Sequence, residues 1–319
     1  MIQLHVLGPV EASADGRPLL LGGQKPRAVL VMLGLEANRT LTADQLIEGL
    51  WGERPPASAS KLIQTYVWRL RRALGDDAGA QIVTRGRGYE LRIDPECVDA
   101  RRFERLLAVA NRAEEAGEPL DVAREALNIW RGAALANLAD EPFAAAEIRR
   151  LEEMRMQATE LAIAADLAAG RHRKAAAEID ALIGEHPLRE RLHAQRMLAL
   201  YRCGRQADAL EAYRQARHTL VDQIGVEPGP ELQRLHDAIL RQDPSLELVV
   251  LEFPRELDAA GSPPLIGRDA ELAWLRAHWQ RARAGAGALI TLAGGRGSGK
   301  TRLAAELAGE AHREGATVL

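Results

Sequence analysis

The chain has 319 residues, 47% of them hydrophobic and 27% charged, which is enough for two or three domains that each bury a core. Its formal net charge of −3 argues against a uniformly basic protein that coats nucleic acid. Two cysteines are too few for a disulfide framework, and no apolar run reaches the ~18–20 residues that cross a bilayer. Since the N-terminus also lacks a signal-peptide pattern, we expect a cytoplasmic protein without a membrane segment.

The charge is unevenly distributed along the chain. Residues 1–97 carry 12 basic and 11 acidic side chains, residues 98–243 carry 21 and 25, and residues 244–319 carry nine of each. Between residues 58 and 92, seven basic groups accompany only three acids. Because only four of the 42 basic residues are lysines, an arginine cluster is weaker evidence in this chain than a lysine at a defined position.

The first residues predict short strands followed by two helices. Residues 1–21 alternate polar and apolar side chains around Asp15-Gly16, a pattern typical of antiparallel strands. Residues 25–37 and 42–50 have helical spacing, and Thr42 is the expected N-cap of the second helix.

A third helix and a hairpin complete this region. We expect the helix from about Ser58 to Leu74, then a turn at Gly75-Asp76-Asp77 and two strands around Gly86-Arg87-Gly88. Strands, three helices and a hairpin in this order are typical of a winged helix-turn-helix.

The third helix has one apolar and one cationic face. Its apolar stripe consists of Leu62, Ile63, Tyr66, Val67, Leu70 and Leu74. The opposite face consists of Lys61, Thr65, Trp68, Arg69 and Arg72. Such a face suits the major groove of DNA, and the arginines of the hairpin suit the minor groove. The alternative for the helix alone is an ordinary solvated surface in an arginine-rich chain.

The stretches GGQKPRAVL, LTADQLIEGLWGERPPASA, VWRLRRALGD and IVTRGRGYELR resemble the OmpR-type winged helix of the Streptomyces antibiotic regulatory proteins. The resemblance implies that this domain, residues 1–97, binds promoter DNA through the third helix and the wing. The DNA-binding residues that it implies are Lys25, Arg27, Lys61, Thr65, Trp68, Arg69, Arg72, Arg85 and Arg87. It also implies that the Trp51–Ser58 turn faces RNA polymerase and its sigma factor, although a plain connector explains the turn equally well.

Residues 98–243 predict a tetratricopeptide-like helical array. Gly170-Arg171 and Gly204-Arg205 are 34 residues apart, which is the period of tetratricopeptide repeats. Helices are expected at 143–169, 172–184, 188–202, 206–222 and 230–241. This segment resembles the bacterial transcriptional activation domain of the same family, which braces the DNA-binding domain and helps dimerisation. Its histidines and Cys203 do not share a metal-ligand spacing.

Residues 265–319 follow a linker at 244–264 and contain a phosphate-binding loop. The sequence ALITLAGGRGSGKT predicts a strand, a Walker A loop and the start of a helix. The nucleotide-binding residues are expected to be Gly294, Gly295, Gly297, Ser298, Gly299, Lys300 and Thr301, with Thr301 as the ligand of Mg²⁺. LIGRDAEL resembles the entry motif of NB-ARC/STAND-type signalling NTPases. GATVL is the expected second strand, after which no Walker B carboxylate follows, so we expect an incomplete P-loop domain.

The fold expected for the chain is therefore mostly α with an α+β N-terminal domain. The resemblance, to the large AfsR-like subgroup, implies a transcriptional activator that binds direct repeats near the −35 region of promoters and recruits RNA polymerase for secondary-metabolism genes. It implies two protomers on DNA, as a homodimer or in tandem, at the nucleoid. DNA binding needs no cofactor, whereas ATP or ADP with Mg²⁺ belongs to the complete P-loop domain. The alternatives are a STAND-type signalling ATPase and a tetratricopeptide scaffold, and we expect no catalytic residues in this chain.

Overall fold

A computed structural model describes residues 2–75, 79–116, 121–247, 257, 265, 267–283, 287–295, 297–313, 316 and 318. The chain divides into two compact units, residues 1–241 and residues 242–319, which we describe separately. None of the helices among the described residues is both long enough and apolar enough to cross a membrane.

The first unit begins with a small antiparallel sheet. Its strands, in the order β1-β2-β3, are β1 (Ile2–His5), β2 (Glu11–Ala14) and β3 (Arg17–Pro18). Asp15 and Gly16 connect the last two strands with φ angles of 49° and 77°, as a tight hairpin with two left-handed residues requires. The predicted strands and turn are confirmed.

Three helices follow the sheet: α1 (Gln24–Leu35), α2 (Ala43–Trp51) and α3 (Ala59–Leu74). The hydroxyl oxygen of Thr42 accepts a hydrogen bond from the backbone N–H of Gln45, and the Gln45 side chain accepts one from the N–H of Thr42. This reciprocal capping box starts α2 and confirms Thr42 as its N-cap.

A second antiparallel sheet supplies the wing. Its strands, in the order β4-β6-β5, are β4 (Thr40–Thr42), β5 (Ala80–Arg85) and β6 (Gly88–Ile93). Strand β4 had not been predicted from its three residues. A Cβ atom at Gly88 would lie 2.4 Å from the carbonyl oxygen of Leu41, so only glycine permits this pairing. The element order of a winged helix is confirmed, whereas Asp76 and Asp77 of the predicted turn lie outside the described residues.

The rest of the first unit is helical. The bounds are α4 (Asp99–Ala116), α5 (Asp121–Leu127), α6 (Ala144–Ala168), α7 (His172–Glu185), α8 (Glu190–Arg202), α9 (Gln206–Ile224) and α10 (Pro230–Arg241). The five predicted helices are confirmed within a few residues. Gly170 and Gly204, one repeat apart, both have a φ of 76°, and Ala175 and Ala209 are both fully buried.

One hydrophobic core runs through the winged helix and the start of the array. It includes Leu4 of β1, Ile63 of α3, Phe103 of α4 and Leu161 of α6. The buried carboxylate of Asp99 accepts hydrogen bonds from the backbone N–H groups of Val6 and Leu7 at 2.8–3.1 Å. The helical array is thus packed and hydrogen-bonded against the N-terminal sheet.

The second unit contains α11 (Asp269–Arg283) and α12 (Lys300–Arg313), which share a small core of Leu272, Leu275 and Leu303. The helix predicted after the phosphate-binding loop is confirmed. Residues 288–292, which were predicted to form a strand, are not in a strand in the described part of the chain, and no described residue pairs with them. Most of the predicted 244–264 linker and of the 315–319 strand lies outside the described residues.

Candidate nucleic-acid interface

Helix α3 buries the predicted apolar stripe. Ile63, Val67, Leu70 and Leu74 are at most 5% exposed and face the core, whereas Leu62 and Tyr66 are only partly buried. Gly75 ends the helix with a φ of 72°, which a glycine adopts without strain. The buried stripe leaves the opposite face of α3 to solvent.

That opposite face carries free cations and an aromatic ring. The side chains of Lys61 and Arg69 are exposed and have no ion pair among the described residues. Trp68 is 58% exposed, and the guanidinium carbon of Arg72 lies 5.8 Å from its ring centroid. Thr65 is half-buried, and its hydroxyl donates to the carbonyl oxygen of Lys61 at 3.0 Å. The five predicted contact residues of α3 therefore share one accessible face.

The wing presents two exposed arginines at its tip. Arg85 pairs with Gly88 across the hairpin, and its Nε lies 3.4 Å from the carboxylate of Glu90. Arg87 is exposed and has no side-chain partner among the described residues. Because Glu90 neutralises part of the charge of Arg85, the unpaired cation at the tip is Arg87.

Arg71 joins α3 to the wing, a role that the sequence analysis missed. Its Nε donates to the carbonyl oxygen of Ile82 at 2.8 Å, and its Nη2 donates to Thr84 Oγ1 at 2.9 Å. Both acceptors belong to β5, so the bidentate contact restrains the angle between the helix and the hairpin. The sequence feature that could have indicated this role is the position of Arg71 on the helix, between the buried stripe and the cationic face.

Lys25, which the resemblance had implied as a DNA-binding residue, instead takes part in the internal packing. Its ammonium donates to the carboxylate of Glu141 at 2.8 Å and to the carbonyl oxygen of Leu50 at 2.6 Å. The side chain of Glu141 is 6% exposed, and a buried carboxylate requires a cationic partner. Arg27, two residues later, is half-buried and has no side-chain partner among the described residues.

The connection between α2 and α3 is a solvent-exposed loop. Residues 53–58 are all exposed, and Gly52 before them has a φ of 58°. The ring of Trp51 stacks on that of Tyr66 in α3 at a centroid distance of 6.5 Å. The loop predicted to face RNA polymerase is therefore accessible and begins at an aromatic pair anchored on α3.

In the second unit, the phosphate-binding loop is wrapped around Lys300. The ammonium donates to the carbonyl oxygens of Gly294 and Gly295 at 2.9 and 2.8 Å, and lies 3.4 Å from Ser298 Oγ. Gly297 and Gly299 have φ angles of 79° and 81°, which favour glycine. A Cβ atom at Gly294 would lie 2.8 Å from Ser298 Oγ. The loop thus needs its glycines to keep this close backbone geometry.

A cavity of about 400 Å³ adjoins this loop. Its lining includes Ser298, Gly299 and Lys300 from the loop and α12, together with Arg268 and with Trp274 of α11. Thr301, in the first turn of α12, is exposed. No cluster of three or more His, Cys, Asp or Glu side chains able to hold a metal ion occurs in the described part of the chain.

Three protein-family models match successive parts of the chain. The "Transcriptional regulatory protein, C terminal" model matches residues 16–91, the "Bacterial transcriptional activator domain" model residues 98–240, and the "AAA ATPase domain" model residues 264–319. The first match covers most of the winged helix, the second covers the helical array, and the third includes the phosphate-binding loop.

Curated relatives and a solved structure extend this similarity. The regulatory protein DnrI of Streptomyces peucetius is 40% identical, over 81% of this chain and 99% of DnrI. The regulatory protein AfsR of Streptomyces griseus is 38% identical over 98% of this chain, which spans 33% of AfsR. The structure of Mycobacterium tuberculosis EmbR in complex with a low-affinity phosphopeptide has a TM-score of 0.71 and 38% identity, over 76% of this chain and 66% of that chain.

Proposed function

Because the chain belongs to the family of the Streptomyces antibiotic regulatory proteins, we propose that it is a sequence-specific DNA-binding transcriptional activator. The observation that carries this proposal is the accessible face of α3, where Lys61 and Arg69 have no partner among the described residues. Exposed cations beside Trp68 match the phosphates and base edges of a major groove. The similarity to DnrI and AfsR, both named as regulatory proteins, supports the same function.

In this proposal α3 enters the major groove and the wing lies along the adjacent minor groove. Arg69 and Arg72 bind phosphate or guanine, and Arg87 at the wing tip enters the region of most negative potential. Arg71 holds the helix and the wing at a constant angle, so both can engage DNA without rearrangement. Two protomers, as a homodimer or in tandem, bind direct repeats near the −35 region.

The exposed 53–58 loop supports contact with RNA polymerase and its sigma factor. Since Trp51 connects this loop to α3 through Tyr66, binding of DNA and contact with polymerase would involve one rigid element. The protein would act in the cytoplasm, at the nucleoid, on genes of secondary metabolism.

Residues 294–301 support nucleotide binding by the second unit. The left-handed glycines and the close approach at Gly294 fit a loop that surrounds phosphate groups, with Lys300 as the cation. Thr301, whose side chain is exposed, would bind the accompanying Mg²⁺. A bound ATP or ADP would supply triphosphate or diphosphate charge that competes with the Gly294 and Gly295 carbonyls for Lys300. We assign this site to regulation, in a protein that is not itself an enzyme.

The proposed function is tested by titrating the chain with duplex DNA from the intergenic region upstream of its own gene at three salt concentrations. We expect log K to fall linearly with log salt, by about 0.9 per phosphate neutralised. A random duplex of equal length measures the specificity ratio. Binding without salt dependence, or no binding, would support the scaffold alternative, whereas equal salt-dependent affinity for both duplexes would contradict sequence-specific recognition. ATP turnover that disappears in Lys300→Ala would support the ATPase alternative.

A further inference from the structure

Helix α3 carries one side-chain amide, that of Gln64. Between Ala59 and Leu74 the helix has no carboxylate and no second amide. Its other polar side chains are cations, hydroxyls and the indole of Trp68. Gln64 is exposed, and its amide has no hydrogen-bond partner among the described residues. The amide of Gln64 is therefore the one exposed group of the helix with an acceptor oxygen and a donor nitrogen on adjacent atoms.

Polar neighbours of Gln64 are already engaged. The Thr65 hydroxyl donates to the Lys61 carbonyl oxygen, and the Arg71 guanidinium donates to Ile82 and Thr84 of β5. These contacts hold the two side chains against the protein. Gln64, in contrast, needs to break no intramolecular hydrogen bond before it binds a ligand.

The chemistry of the amide selects one base. A glutamine amide has an acceptor oxygen and a two-proton donor nitrogen, whereas lysine and arginine only donate. In the major groove adenine presents the N7 acceptor beside the N6 amino donor, and guanine presents two acceptors. We propose that Gln64 reads an adenine in the major groove through a bidentate contact, a role that rests on the DNA-binding function proposed above.

The position of Gln64 on α3 agrees with base readout. It is the sixth of 16 helical residues, and the N-terminal part of a recognition helix is the part that contacts base edges. Trp68 lies one turn later on adjoining helix surface, and Lys61 lies one turn earlier. Phosphate contacts by the cations would position the helix, while the contact of Gln64 with a base edge would make the binding sequence-specific.

The test selects binding sites from a random-sequence duplex library with the 319-residue chain. Wild type is compared with Gln64→Met, which preserves side-chain length but removes the amide. Gln157→Met, which changes an exposed glutamine of α6, is the matched control. We expect wild type and the control to select the same consensus. Gln64→Met should lose the preference for adenine at one position of each half-site, by roughly tenfold to a hundredfold in affinity ratio.

A modified base then identifies the contact. Replacing that adenine by 7-deazaadenine removes N7, so it should weaken wild type and leave Gln64→Met unaffected. An unchanged consensus in Gln64→Met would overturn the inference while the DNA-binding function stands. Uniform weakening on all sequences would also overturn it, since this indicates a phosphate contact. Failure of wild type to select any consensus would instead refute the proposed function itself.

Discussion

The ammonium of Lys25 lies 2.8 Å from the carboxylate of Glu141 and donates a second hydrogen bond to the carbonyl oxygen of Leu50. The same ammonium lies 5.5 Å from the ring centroid of Trp51, which stacks on Tyr66 of α3. Glu141 belongs to the segment before α6, so the contacts run continuously from the helical array to α3. The array thereby restrains the position of α3.

Lys25→Met should destabilise the first unit by about 3 kcal/mol. It leaves the Glu141 carboxylate buried without a cation, and breaking a buried pair costs about 3–5 kcal/mol. We expect the lower end of this range because the Lys25 side chain is 32% exposed, so solvent already weakens the ion pair. Urea denaturation at neutral pH measures the effect.

The double variant Lys25→Met, Glu141→Leu should recover most of this stability, because neither charge remains to be buried alone. Lys61→Met, which changes an exposed lysine without an ion pair among the described residues, is the control and should stay within about 0.5 kcal/mol of wild type. Equal destabilisation by the two lysine substitutions would contradict the structural role of Lys25.

Local patterns predicted the elements of the winged helix, whereas long-range contacts determine the roles of individual cations. The apolar spacing of α3 and the Thr42 cap follow from neighbouring residues, so both could be read directly. Lys25 was expected to bind DNA, since its partner, Glu141, is 116 residues away and no local pattern links the two residues. Arg71 was likewise only one of the seven basic groups between residues 58 and 92, although its acceptors lie on a strand that follows the helix.

The pairing of strands set a second limit on what could be predicted from the sequence. Three residues, Thr40–Thr42, form β4 because β6 pairs with them, and an isolated TLT carries little strand signal. Conversely, the apolar segment at 288–292 has a clear strand pattern but no described partner. The sequence pattern reports burial and backbone preference, whereas a strand also requires an edge to pair with.

Arg69→Ala and Arg72→Ala should each abolish specific promoter binding, and Arg85→Ala should weaken it with the fold intact. The first two residues lie on the exposed face of α3, while Arg85 shares its charge with Glu90. Mobility-shift titration at about 150 mM salt measures the affinities, since phosphate contacts depend strongly on salt. Arg112→Ala, an exposed position of α4, is the matched control. Wild-type affinity in all three variants would refute the assignment to helix and wing.

Asp166 should make the first unit sensitive to acid. Burial opposes ionisation of Asp166, but hydrogen bonds from Arg171 and Lys174 and the charge of Arg124 outweigh it and hold the pKa of the carboxyl below its ordinary value. A lowered carboxyl pKa contributes stability above the unfolded value of about 3.9, and this contribution is lost as pH falls through the folded pKa.

Asp166→Asn should therefore destabilise the protein at pH 7 by about 1–3 kcal/mol, because it removes charge-assisted hydrogen bonds but leaves behind cations that are partly exposed to solvent. The loss of stability between pH 5 and pH 2 should be smaller in this variant than in wild type. Asp140→Asn, at an exposed carboxylate without an ion pair among the described residues, is the control. A pH dependence equal to that of wild type in Asp166→Asn would contradict the assignment.

Mg-ATP should raise the melting temperature of the second unit through Lys300. A ligand that binds only the folded state stabilises it by about 2.7 kcal/mol at a concentration of 100 Kd.

Lys300→Ala also removes the hydrogen bonds to Gly294 and Gly295. The variant therefore differs from wild type in melting temperature even without ligand, and that difference does not report nucleotide binding. The informative quantity is the shift between samples with and without Mg-ATP, measured by calorimetry. Arg281→Ala, which removes an exposed cation of α11, should keep that shift, and Lys300→Ala should lose it. A shift of wild-type size in Lys300→Ala would show that the loop does not hold the phosphates.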